Sequence, residues 1–173
     1  MRDPFPLPLI PVLTRLSQTL ASVTGLTTLP LHAHEIFYAF VLYQCIFVFL
    51  APLLSRLLAH KHYLSLSREN NLRWRMKCVS FAQSVLISSL SLWVHFADEE
   101  RAAMDLKERI WGYTGALGMV QALAVGYFVW DTFIMIIYAD VFGPAMLVHG
   151  LACTLTFSLG FVSVFRRMEC CRC

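Results

Sequence analysis

Charge is scarce in this sequence. Only 14% of its 173 residues are Asp, Glu, Lys or Arg, against roughly a quarter in a soluble domain, and 58% are hydrophobic. With a mean hydropathy of +0.62, a soluble core wrapped in a polar shell is excluded. Gly-rich phosphate loops, zinc-finger spacings and basic stripes interleaved with aromatics are all missing, so nothing points to nucleotide chemistry or nucleic acid. The small net charge of +3 comes from loops and suits contact with lipid headgroups. Residues 1–31 lack a basic stretch leading into an uninterrupted apolar core, so the pattern is not that of a cleavable signal peptide.

What remains is a polytopic membrane protein, one all-α transmembrane bundle. Four apolar runs of about 20 residues or more are each long enough to cross a ~30 Å hydrocarbon core. They cover about Glu35–Leu58, Cys78–Ala97, Tyr113–Tyr138 and Pro144–Phe165. Ahead of them, Pro4, Pro6, Pro8 and Pro11 keep the start extended. Val12, Leu13, Leu16, Leu20 and Val23 then repeat at helical spacing, the pattern of an interfacial helix. Pro30 is expected to separate that helix from the first span, and Pro52 to kink the span. Three parts result: residues 1–31 as an extended and interfacial segment, 32–165 as the membrane domain, and 166–173 as an Arg- and Cys-rich tail.

Loop charges suggest an orientation. Between Arg56 and Lys77 six basic residues face one acid, Glu69, which places that loop on the cytosolic side. Between Asp98 and Arg109 five acids outnumber three bases, as expected for a short surface helix on the opposite side. Arg166 and Arg167 run against this assignment, because four spans would leave both termini outside the cytosol.

Few polar residues interrupt the apolar runs, and an ionisable group inside a membrane helix is a functional-site candidate by default. Asp131 and His149 lie in consecutive spans at similar depth from the break around Asp140–Pro144, so an antiparallel hairpin would let them share a polar cavity. The competing reading is an Asp that snorkels to the headgroups or bonds a neighbouring Tyr or Thr and performs no chemistry. Gln83, the only amide in the second span, is the best third member of a lipid-headgroup site. Gly118, Ala122 and Gly126 recur every four residues, a ridge of small side chains for close helix contact. His32, His34 and Glu35 look like a metal cluster, but their spacing matches no zinc helix motif, and no metal or cofactor is expected. Cys45, Cys78 and Cys153 read as small buried hydrophobes. Cys170, Cys171 and Cys173 read as a tail open to palmitoylation or of no consequence.

Several segments together resemble the TLC domain, the module shared by TRAM-type proteins and Lag-type ceramide synthases, and most of all its fungal branch. They are Arg109-Ile110-Trp111-Gly112-Tyr113, then Gly126-Tyr127-Phe128-Val129-Trp130-Asp131, then Leu147-Val148-His149-Gly150 and Phe157-Ser158-Leu159-Gly160-Phe161. Ceramide synthases carry adjacent histidines where this chain has His149 and Gly150, with a pair of aspartates further on. Family members also continue through more spans, so a C-terminally truncated product is expected. The resemblance implies a membrane protein, of the endoplasmic reticulum, that binds, senses or redistributes lipids, with membrane lipids as partners and membrane-protein partners or a homo-oligomer besides. An acyl-CoA-dependent N-acyltransferase with His149 as base is the alternative, weakened by the missing second histidine. A four-span scaffold is the third reading.

Overall fold

A computed structural model describes residues 7–162, and among them the chain is all helix and connecting turn, with no strand. Pro4, Pro6, Arg166, Arg167 and the tail cysteines Cys170, Cys171 and Cys173 lie outside the described residues. Among the described residues four stretches are long and apolar enough to cross a membrane: Leu29–Leu64, Arg68–Ala97, Gly115–Ile137 and Ala139–Phe161.

Helix α1 (Pro11–Thr24) precedes them and leaves Val12, Leu16, Leu20 and Val23 exposed along one face. That face fits the apolar side of the headgroup layer. It stops at Gly25, whose φ of 77° is the left-handed conformation that commonly closes a helix. The first span opens with α2 (Leu29–Cys45), continues through a π-helical turn at Ile46–Leu50 and ends as α3 (Ala51–Leu64). Pro30 does not separate anything. It sits in the first turn of α2, where its missing N–H is not needed. The expected disturbance at Pro52 takes the form of that π turn. A proline ring collides with the carbonyl four residues back, here Val48, and a widened turn around Val48 relieves the collision. A second break falls at Ala59 (φ −139°, ψ 43°).

The basic segment is not a loop. Helix α3 runs to Leu64 and α4 (Arg68–Ala97) starts at once, its first turn capped by the Ser67 hydroxyl, which accepts from the Asn70 amide. Two short helices follow, α5 (Glu99–Ala103) and α6 (Leu106–Trp111), the latter begun by a reciprocal cap between Asp105 and Glu108. Expectation gave one surface helix here. The Asp105 cap restarts the chain after a break at Met104, so there are two.

Helix α7 (Gly115–Ile137) is the centre of the bundle, packed against α2, α4 and α8. It buries residues from Ala116 to Met135 around much of its circumference. Helix α8 (Ala139–Ser158) buries only Val141 and Gly150, then tightens into a 3₁₀ turn at Leu159–Phe161. Gly143 (φ 77°, ψ 169°) breaks α8 near its start and Pro144 resumes it, so the hairpin turns where Gly-Pro punctuates the sequence.

Candidate functional site

The polar residues of the bundle fall into two groups, one at the middle of α7 and one at its start. The first is organised on the aromatic residues that follow Gly126. Trp130 is wholly buried, edge-on to Phe47 with ring centroids 5.7 Å apart and tilted against Tyr43 at 6.2 Å. Its indole N–H donates to Gln44 Oε1 at 2.9 Å. Helix α4 supplies the partners for two phenols. The Tyr43 hydroxyl donates to Gln83 Oε1, and Tyr127 shares a hydrogen bond of 2.8 Å with Ser80 Oγ. Ser80 and Gln83 are three residues apart on one face of α4, so one side of that helix serves both α2 and α7.

Asp131 follows Trp130. It is 8% exposed and has no hydrogen-bond or ion-pair partner among the described residues. Its carboxylate faces α8 at Gly150, where a methyl group would lie 3.5 Å from Asp131 Oδ2 and 3.0 Å from Thr132 Oγ1. A side chain at position 150 would therefore start against Asp131 and Thr132 of α7. Thr132 bonds Thr154 across the same contact at 3.1 Å. His149 is exposed on α8, its Nε2 3.6 Å from Cys153 Sγ. His149 is thus next in sequence to the Gly150 that Asp131 faces, with its own side chain on the exposed side of α8. Gln83 reaches this neighbourhood only through Tyr43, whose ring stands edge-on to Tyr127 at 5.4 Å.

The small-residue ridge faces α2. A methyl group at Gly126 would lie 2.6 Å from Ala39 Cβ and 2.8 Å from the Ile36 carbonyl oxygen, and Ala122 is fully buried. At Gly118 a methyl group would overlap the His32 ring.

That ring belongs to the second group. His32 Nδ1 lies 2.6 Å from Glu35 Oε2 and Nε2 lies 2.5 Å from the Tyr113 hydroxyl, with His32 and Glu35 both buried. Phe161 stacks on the imidazole at 6.0 Å, and its carbonyl accepts from the Thr28 hydroxyl at 2.9 Å. The group joins the first turns of α2 to the start of α7 and the end of α8. In the sequence, His32, His34 and Glu35 match no zinc spacing and carry no assigned role. The His-x-x-Glu spacing, which puts both side chains on one helix face, was the available signal. Among the described residues no three His, Cys, Asp or Glu side chains are placed to hold a metal ion.

Four membrane-crossing helices, with α7 buried among the other three, define a polytopic, all-helical integral membrane protein. The TLC domain family matches residues 73–171, more than half of the chain, and the protein belongs to that family. The match begins within α4, so α1–α3 lie ahead of it. A TLC domain-containing protein of Schizosaccharomyces pombe is 36% identical over 136 residues, 78% of this chain and 44% of its own length. Topoisomerase I damage affected protein 4 of Saccharomyces cerevisiae is 28% identical over 123 residues, 69% of this chain and 41% of its own. The chain thus spans less than half the length of these curated relatives. No solved structure matches.

Proposed function

We propose that this TLC-domain protein binds a membrane lipid by its headgroup beside Asp131, without transforming it, and so serves lipid homeostasis in the endoplasmic reticulum membrane. The observation that carries the reading is the Asp131 carboxyl, nine-tenths buried on the central helix with no protein partner among the described residues. Leaving such a group unpaired in an apolar surrounding is costly, so a ligand that supplies donors gains by meeting it. Hydroxyl- or amine-bearing headgroups do so. His149 lines the approach from α8, while Gln83 and Tyr43 form the wall behind Tyr127.

The acyltransferase reading is weaker, because Gly150 stands where a second imidazole would stabilise the oxyanion. The test is to purify the wild type and Asp131→Asn from yeast microsomes in mild detergent and to quantify the lipids that stay bound. Enrichment of one headgroup class in the wild type, lost in Asp131→Asn at an unchanged melting temperature, is expected. Bound lipid that mirrors the bulk membrane in both proteins would overturn the proposal. An N-acylated product formed from acyl-CoA and a sphingoid base, and abolished by His149→Ala, would replace it.

A further inference from the structure

The two helices that leave the basic turn do not close on each other. The first span is deformed twice along its length, at the π turn Ile46–Leu50 and at Ala59, while α4 stays regular opposite it. Between them lies a groove of about 790 Å³. Leu54 and Leu58 wall it on one side, with Phe81 and Val85 on the other. The polar groups on its floor are partnered: the Trp74 indole N–H donates to Ser55 Oγ at 2.8 Å, and that hydroxyl donates to the Ala51 carbonyl at 2.6 Å.

Lys77 lines the shallow end, beside Trp74, and Ser89 the deep end. Ser89 follows Lys77 by twelve positions along α4, about 18 Å of helix, slightly more than one leaflet of a ~30 Å core. Lys77 is exposed and has no hydrogen-bond or ion-pair partner among the described residues. It belongs to a segment that holds six Lys and Arg from Arg56 to Lys77 with Glu69 the only acid among them, so this end of the bundle is basic. An apolar trough one leaflet deep, headed by a free ammonium in a basic surround, matches one kind of occupant.

We infer that this groove holds an acyl chain of an anionic glycerophospholipid, whose headgroup pairs with Lys77 in the leaflet next to the turn at Ser65–Ser67. The site is separate from Asp131. It lies on the outer side of α4, whereas Ser80 and Gln83 turn the other side of that helix towards α2 and α7.

The test uses the full chain in phosphatidylcholine vesicles containing brominated phosphatidylserine or brominated phosphatidylcholine. Quenching of Trp74 is read as the difference between the wild type and Trp74→Phe. Half-quenching is expected at about fivefold less phosphatidylserine than phosphatidylcholine, the size of one cation–lipid attraction at the membrane surface. Lys77→Glu should abolish the preference and Lys77→Arg keep it, while Ala82→Leu should reduce quenching by both lipids. Asp131→Asn should leave the preference intact, so the two lipid sites stand or fall apart. Equal quenching by the two lipids, or a preference that survives Lys77→Glu, would overturn the proposal. So would a Trp74 that neither lipid reaches, as when a second copy of the chain or another segment fills the groove.

Discussion

At the scale of single residues, the ridge on α7 makes a sharp demand on size. Gly126 touches the backbone of α2 at Ile36, and backbone cannot move aside as a side chain can. Gly126→Leu should therefore lower the thermal-shift midpoint by an amount equivalent to about 1–3 kcal/mol, the usual range for overpacking. Ala152→Leu, on the exposed face of α8, is the matched control and should change little. Gly25 is no substitute as control, since its left-handed backbone penalises any side chain even though nothing lies within 4 Å. Equal tolerance at 126 and 152 would mean that the ridge is not a contact. Size and spacing made Gly118, Ala122 and Gly126 legible in the sequence. What they pack against was not, because His32 and Ala39 lie some eighty residues away on a helix whose own pattern is apolar all round. The same limit hid the His32–Tyr113 contact: Glu35 is visible from His32 at a spacing of three, Tyr113 is not.

Among elements, helix ends were read better where a side chain marks them than where the backbone decides. Runs of apolar residues located all four spans, but the basic segment between Arg56 and Lys77 looked like a loop because charge dominates it. Both of its halves are helical, and Arg68 and Arg73 reach across to Asp140 and the Val141 carbonyl. The π turn had no signal except Pro52, which predicts a disturbance without saying which kind. Thr114 shows how much one cap can carry. Its hydroxyl accepts from the Leu117 amide at 3.3 Å, starting α7, and donates to Asp98 Oδ2 at 2.7 Å, tying that start to the end of α4. Thr114→Val removes both bonds, so the loss should exceed the ~1 kcal/mol typical of a cap alone. Thr114→Ser keeps both and should recover most of it. A thermal-shift series that ranks Val level with Ser would show that neither bond matters.

For the whole molecule, the contacts sort into two ends that the spans connect alternately. At one end Arg68 reaches Asp140 at 3.4 Å and Arg73 donates to the Val141 carbonyl at 2.5 Å, so the basic turn and the α7–α8 hairpin lie side by side. At the other, Thr28 meets Phe161, His32 meets Tyr113 and Asp98 meets Thr114. That grouping requires each of the four helices to run from one end to the other, which is the geometry of four crossings. The segment from Arg56 to Lys77 carries six Lys and Arg against one acid, so the basic end should face the cytosol, with α5 and α6 on the opposite side. Glycosylation acceptor sites placed by insertion at Ser65–Ser67 and at Met104 read this directly. Met104 lies in the break between α5 and α6, where an inserted loop disturbs no membrane helix. Modification at Met104 and none at the basic turn is expected. Modification at both, or at neither, would put the two ends on one side of the membrane, and α4 would then not cross it.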